Sequence, residues 1–321
     1  MKALETIETF LRDRIGFPSL TALSKDEEVM KKSDLLIRIF YACGPFMAFL
    51  FLIMNAPPVP RQNFDPLWAL QWVTIFHLDV NTTAVAVGVL FVVASMLALL
   101  WYKERSIRAL FFFAVWQVTT YDGSFGVSTH IWYPWLFVSF ILIFLPDGSR
   151  TTNTDKARTT LLVIWWAQAY MMLLYSMAGF WKFFIGFGQL FQGEISNLSP
   201  YGFPYQVAWS LNQIQNQAPF GPFFIEHPYI VWPLYIGSSL FQFFALWTMV
   251  RPRLQLLWGF ELITFHTMTF LVLGTNFYQF IPIVIVLFCF SPFVPERVTA
   301  TMVLYDLPLV GWALRRWRPT S

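Results

Sequence analysis

Charged residues are scarce in this sequence, and that scarcity excludes a surface built for water. Asp, Glu, Lys and Arg together make up 12% of the 321 residues, whereas a soluble globular domain carries roughly 25%. Hydrophobic residues make up 57% and aromatic residues 20%, enough for several apolar spans of about 20 residues each. The composition therefore predicts an all-α, polytopic transmembrane helical bundle with the lipid bilayer as its main partner.

The sequence also lacks the motifs of several large functional classes. Its two cysteines, Cys43 and Cys289, lie in apolar runs and form neither a CxxC pair nor a disulfide framework. It has no Walker motif, no GxGxxG and no HExxH, and no segment that predicts nucleic-acid binding. Residues 1–34 are charged and lack the apolar core of a signal peptide. A nucleotide-binding domain is therefore not expected.

Eight apolar segments predict about eight spans. They are 36–54, 83–102, 107–121, 131–145, 160–181, 228–250, 254–273 and 276–290. The third and fourth are short for a full bilayer crossing. The corresponding organisation is a cytoplasmic N-terminal segment, 1–35, a transmembrane domain, 36–294, and a cytoplasmic C-terminal tail, 295–321.

The basic residues predict the orientation of the bundle. With the N-terminus in the cytoplasm, 19 of the 21 Lys and Arg residues fall on the cytoplasmic side, and only Arg61 and Lys182 fall outside. Such a bias is the positive-inside signal of a multi-pass inner-membrane protein. An even number of spans then places both termini in the cytoplasm. The long outer loop, 182–227, is aromatic rather than hydrophilic, which predicts a lid packed on the bundle.

Lys182 ends the fifth segment on the side that basic residues otherwise avoid. Gln168, Tyr175 and Lys182 are spaced by seven, so they share one helix face. Gly179, one turn below, would let another helix come close. A lysine at this place either snorkels to the interface or is desolvated among its aromatic sequence neighbours, which would favour the neutral amine that acts as a base.

Further ionisable residues occur at comparable depths. Glu261 and His266 lie within a span, where such residues are costly and usually face the bundle interior. Asp122 lies at the outer mouth of the third span, and His130 follows in the same outer loop. A metal site built from these four residues is an alternative, but no close ligand spacing supports it, and no metal is predicted.

Three segments resemble the HTTM (horizontally transferred transmembrane domain) family, which includes the membrane domain of vitamin K-dependent gamma-carboxylase. "LLYSMAGFWKFFIGF" is similar to the family's Ala-Gly-x-x-Lys helix end, and "FHTMTFLVLGTNFYQF" to its Phe-His helix. "YDGSFGVSTHIWY" is similar to the outer loop in which an aspartate precedes a histidine. The three matches occur in the family's order and cover residues 122–291.

The resemblance implies roles for individual residues. Lys182 matches the lysine taken as the base that deprotonates vitamin K hydroquinone, and His130 matches a histidine implicated in the same site. His266 matches a third family position. Trp181 stands where the carboxylase has the first lysine of a Lys-Lys pair. In length the chain matches the family's short bacterial members better, among them membrane proteins that mature sporulation-delaying toxins.

The first hypothesis is an HTTM-like enzyme with an outer-side hydrophobic pocket that modifies or matures a peptide, with a quinol or another lipidic cofactor. It would be a carboxylase-like, quinol-dependent lyase or a peptide-maturation enzyme. The catalytic residues would be Lys182, His130 and His266, and the cofactor-binding residues Asp122, Tyr175, Glu261 and Trp181. The alternative is a non-enzymatic subunit or scaffold of a larger membrane complex. A transporter ranks lower, because no internal repeat is visible.

Overall fold

The computed structural model describes residues 19–55, 64–126, 130–148, 154–214 and 218–317. Within these ranges the chain is all-helical, and no β-strand occurs among them. The predicted outer residue Arg61, the first 18 residues of the predicted N-terminal segment and residues 149–153 of a predicted cytoplasmic loop lie outside the described residues. The all-α prediction is thus confirmed for the described part of the chain.

Four helices of the described ranges are long and apolar enough to cross a membrane. They are Glu27–Asn55, Val80–Trp101, Thr154–Gln192 and Pro252–Leu273. Two shorter apolar helices, Tyr133–Leu142 and Phe280–Cys289, fall below the length of a full span. These four helices indicate that the chain is a membrane protein. The number of eight spans stays a prediction.

The chain divides into two compact units, Ser19–Ala167 and a second unit that begins at Gln168. The first unit contains four helices longer than one turn and the beginning of a fifth. These helices are α1 (Glu27–Asn55), α2 (Val80–Trp101), α3 (Arg105–Gly123), α4 (Tyr133–Leu142) and α5 (Thr154–Gln192). Asp79 caps α2, because its carboxylate accepts the backbone N–H of Thr82.

Aromatic rings fill the core of the first unit. Phe40 of α1 stacks on Trp135 of α4 with ring centroids 5.2 Å apart, and meets Phe111 of α3 edge to face at 6.1 Å. All three side chains are fully buried. Glycine lets the helices approach, since a methyl group at Gly88 of α2 would overlap Leu52 of α1. Ring packing between close helices therefore holds this unit together.

The second unit consists of the later part of α5 and the helices that follow it. These are α6 (Gly202–Ile214), α7 (Gly221–Glu226), α8 (Pro228–Phe243), α9 (Gln255–Leu273), α10 (Phe280–Val284), α11 (Ala300–Asp306) and α12 (Val310–Trp317). Pro228 starts α8, where a proline needs no N–H partner. Gly274 ends α9 in the left-handed conformation, with φ of 69°.

A buried polar network ties three segments of the second unit together. The Gln168 side chain of α5 donates to the Leu287 carbonyl at 2.5 Å and to the Ser291 hydroxyl at 2.9 Å. Ser291 in turn donates to Gln255 at the start of α9. Leu287 lies in a π-helical turn, Ile285–Cys289, that continues α10. We call these four residues the Gln168 network.

Each predicted apolar segment overlaps a helix, but the helices differ in length from the segments. The fifth segment, 160–181, lies within α5, which has 39 residues and is therefore about 58 Å long. The sixth, 228–250, is interrupted, because α8 ends at Phe243 and a 3₁₀ turn follows. The fourth, 131–145, contains only the ten-residue helix α4.

Candidate functional site

The second unit contains a cavity of about 720 Å³ with a mainly apolar lining. Helices α8 and α9 form its long walls, and α6 and α7 contribute Phe203, Gln206 and Phe224. Two charged side chains line it, Lys182 of α5 and Glu261 of α9, together with the hydroxyl of Ser238. We call this space the Lys182 cavity. Part of the predicted outer loop, 182–227, therefore forms a wall of it.

Lys182 reaches the cavity from α5, and among the described residues one hydrogen bond holds its amine there. Its Nζ donates to Oε1 of Gln242 at 2.7 Å. The same nitrogen lies 4.9 Å from the ring centroid of Phe265 and 5.7 Å from that of Tyr235. Aromatic faces attract an ammonium, but they do not provide the conventional hydrogen-bond acceptor that an oxygen or nitrogen atom offers.

The aromatic surroundings of Lys182 differ from those expected from its sequence neighbours. Trp181 is 56% exposed and stacks on Phe184, with ring centroids 5.5 Å apart. Phe183 instead meets Phe243 edge to face. Residues adjacent in a helix point to different faces, so the rings around the amine come from α8 and α9 rather than from α5.

Gly179 allows the close approach that positions the partner of Lys182. A Cβ atom at Gly179 would overlap the backbone nitrogen of Phe243 and lie 2.8 Å from the carbonyl carbon of Gln242. The close helix contact predicted at Gly179 is thus confirmed. Because α5 and α8 touch at this glycine, the side chain of Gln242, 1% exposed, comes within hydrogen-bonding distance of the amine.

Glu261 occupies the α9 wall of the same cavity. Its Oε1 accepts a hydrogen bond of 2.8 Å from the hydroxyl of Ser238. Its Oε2 is buried and has no hydrogen-bond partner within the described part of the chain. A buried carboxylate oxygen without a partner is costly, which makes this atom a candidate contact for a ligand.

His266 lies on another face of α9 and is not among the residues that line the cavity. Its Nε2 is 2.7 Å from the hydroxyl of Tyr175 on α5. Its ring packs 5.7 Å from the ring centroid of Phe277, which lines the cavity. His266 and Tyr175 therefore form a buried pair behind the aromatic wall.

The remaining predicted site residues belong to the first unit. Asp122 lies near the end of α3 and is half-buried, whereas His130 is exposed just before α4. The structure thus brings together Lys182, Glu261, Tyr175 and His266 within one unit. The shared site of Lys182 with His130 and Asp122 stays a prediction.

Sequence analysis missed two residues of the site, Gln242 and Ser238. Both lie within the predicted apolar segment 228–250, and a polar side chain inside such a segment is itself a signal of a functional or packing role. The described residues contain no group of three or more His, Cys, Asp or Glu side chains able to hold a metal ion.

The arrangement can bind an amphiphile and exchange a proton with it. The apolar walls suit a hydrocarbon or aromatic body, and the polar groups are few and lie where a head group would be oriented. Lys182 supplies an amine, and Glu261 supplies a free carboxylate oxygen. No protein-family model matches the chain, and comparison with curated proteins and with solved structures finds no match either.

Proposed function

We propose that the protein is a membrane enzyme of HTTM type that binds a quinol in the Lys182 cavity and uses Lys182 as the base. The observation that carries this proposal is a lysine held by one neutral side chain, Gln242, beside a large apolar cavity. The peptide substrate comes from the sequence resemblance alone. The catalytic role of His130 and the cofactor-binding roles of Asp122 and Trp181 are likewise proposed from the sequence alone.

The residues of the cavity fit a quinol. A volume of about 720 Å³ is within the range of pockets for drug-sized ligands, roughly 300 to 1,000 Å³. Aromatic side chains such as Phe241, Phe260 and Phe265 offer faces on which a flat ring can stack. A bound quinol would supply an acidic hydroxyl and a redox-active ring.

Lys182 would act on that hydroxyl through its lone pair. The neutral amine takes the hydroxyl proton, so one N–H bond forms as the O–H bond breaks, and the amine becomes an ammonium. Gln242 holds the nitrogen in place in both states, because its Oε1 accepts from either form. Phe265 and Tyr235 exclude water and stabilise the ammonium that results.

A direct test follows deprotonation of a bound 1,4-naphthohydroquinol by its absorbance, in purified protein kept under argon. Lys182→Ala and Lys182→Arg should each reduce the deprotonated fraction at neutral pH at least tenfold, since guanidinium stays protonated in proteins. Lys25→Ala, at an exposed lysine of the first unit, is the matched control. An Arg variant as active as the natural protein would remove the base role and favour the scaffold alternative.

We further propose eight spans with both termini in the cytoplasm of the inner membrane, on the strength of the charge bias. In a background with Cys43 and Cys289 replaced by serine, cysteine would be introduced singly at two exposed positions, Thr159 and Glu194. An impermeant thiol reagent added to cells should label the variant at 194 and spare that at 159. The reverse pattern would overturn the orientation.

A further inference from the structure

Glu261 has features that the base role of Lys182 does not use. One of its carboxylate oxygens is held by Ser238, and the other is buried with no partner in the described chain. The other polar side chains of α9 in the cavity, Thr264 and Thr269, donate to carbonyls of their own helix. Glu261 therefore carries a buried hydrogen-bond acceptor that the described part of the fold leaves unsatisfied, on a side chain that lines an apolar cavity.

Lys182 and Glu261 line one cavity, yet each is held by a neutral side chain rather than by the other. The amine bonds to Gln242 and the carboxylate to Ser238. An amine and a carboxyl group that share a poorly hydrated space without contact leave hydrogen-bonding capacity unused, and a polar group that touches both satisfies it. Such a group needs a donor for the carboxylate oxygen and an acceptor for the amine.

We propose that the free Oε2 of Glu261 and Nζ of Lys182 form a two-point site for the hydroxyl-bearing head group of an amphiphile. The hydroxyl donates to Glu261, and an oxygen of the same head accepts from Lys182. The site prefers a ligand with a free hydroxyl over the same ligand with its hydroxyls methylated. This inference rests on the proposed function for the identity of the ring, but not for the hydroxyl preference.

The side chains that surround Glu261 explain why a hydroxyl is preferred to an ether or a carbonyl oxygen. Ser238 fixes one oxygen at 2.8 Å, so the carboxylate cannot turn both oxygens toward the ligand. Phe260 and Phe265, its neighbours on the cavity lining, offer no hydrogen bond. A ligand that brings only an ether or a carbonyl oxygen therefore leaves Oε2 unpaired, and loses affinity for that reason.

The test measures equilibrium binding of two probe pairs to the full-length protein in phosphatidylcholine nanodiscs, by isothermal titration calorimetry corrected for binding to nanodiscs without protein. One pair is 2-decyl-1,4-naphthohydroquinone and its dimethyl ether, and the other is dodecanol and its methyl ether. The natural protein should bind each hydroxyl probe about tenfold more tightly than its ether. Glu261→Met should reduce that ratio to about one, and Ser238→Ala should lower it by a smaller factor.

Glu194→Met, at an exposed glutamate of the same unit, is the control and should keep the tenfold ratio. Equal binding of hydroxyl and ether probes by the natural protein, or no binding of either pair, would overturn the inference. A Glu261-dependent preference for dodecanol without binding of the naphthohydroquinone would uphold it while the proposed quinol function fails. A preference that survives in Glu261→Met would assign the hydroxyl contact elsewhere and contradict the inference.

Discussion

In the described part of each unit one basic side chain lies against the interior, Arg108 in the first and Lys182 in the second, and the two are held in opposite ways. In the first unit, Arg108 of α3 is 1% exposed and donates to the carbonyls of Tyr102, Lys103 and Leu145. It also pairs with Asp147 at 3.0 Å. In the second unit, Lys182 has one acceptor, Gln242, and two ring faces.

The difference is the one expected between a structural basic residue and the functional role proposed for Lys182. Both terminal nitrogens of Arg108 donate, to three carbonyls and Asp147, and only its Nε lacks a partner in the described part of the chain. Arg108 thereby satisfies carbonyls that would otherwise lie without partners. Lys182 lies beside a cavity and makes one hydrogen bond to the described part of the chain. Its remaining N–H donors do not contribute hydrogen bonds that stabilise that part of the fold. A buried charge whose hydrogen bonds are incomplete is therefore a better indicator of a site than burial alone.

The largest expected effect is that of Arg108→Met. It removes the donor of three carbonyls and one of the two donors of Asp147, which keeps the backbone N–H of Arg105. This change should lower the free energy of unfolding by about 3 kcal/mol. Thermal unfolding in detergent, followed by tryptophan fluorescence, measures the loss. Arg105→Met, at an exposed arginine one turn away, should change stability by no more than about 0.5 kcal/mol. Similar losses for both variants would contradict the structural role of Arg108.

Gly179→Ala should have the next largest effect. The added methyl group overlaps the backbone of Phe243, so α5 and α8 must separate, at a cost of about 2 kcal/mol. Their separation also removes the acceptor of Lys182. Gly188→Ala, in the same helix where the added carbon meets nothing within 4 Å, should be neutral or slightly stabilising. Equal unfolding temperatures for the two variants would mean that the contact at Gly179 is not tight.

Lys182→Met should change stability least among the buried substitutions. Removal of a charge with a single hydrogen bond deletes its desolvation cost along with its few contacts. Thermal unfolding should therefore move by no more than about 1 kcal/mol in either direction, while binding of the naphthohydroquinone falls. A destabilisation as large as that of Arg108→Met would show that Lys182 has a structural role like that of Arg108.

Asp79 gives the small effect expected of a surface charge. Its carboxylate accepts from the backbone and side chain of Thr82, and these hydrogen bonds hold its pKa below the usual value. The stabilisation is therefore present above the unfolded pKa of about 3.9 and is lost as the pH falls through the lower folded pKa. Asp79→Asn should show no such loss between about pH 6 and pH 3 when unfolding temperatures are compared.

Periodicity and apolar length predicted the helices but not their pairing. The spacing of Gln168, Tyr175 and Lys182 placed them on one face of a helix, and all three reach other helices of the second unit. Their partners could not be predicted, because Gln242 lies 60 residues from Lys182 and no local pattern records which helices pack together. The contact depends on the close approach at Gly179, a tertiary event.

Because the sequence does not show which helices pack together, it could not identify the aromatic side chains around Lys182 either. Its neighbours in sequence, Phe183 and Phe184, are aromatic, yet the helix turns them to other faces. The rings that meet the amine are those of Phe265 and Tyr235. Of the two alternatives, the desolvated lysine placed the amine among its aromatic sequence neighbours, whereas the rings that meet it belong to other helices, which proximity along the chain does not reveal.

The Gln168 network has a consequence for the π-helical turn beside it. In a π-helical turn, backbone carbonyls move away from the hydrogen bonds of a regular α-helix. The hydrocarbon core of a membrane contains no water that could donate to these carbonyls instead. The amide of Gln168 binds the Leu287 carbonyl at 2.5 Å, as a solvent molecule would in a soluble protein. The Gln168 side chain, which belongs to a neighbouring helix, thus supplies the hydrogen bond that water would give to an irregular backbone in a soluble protein.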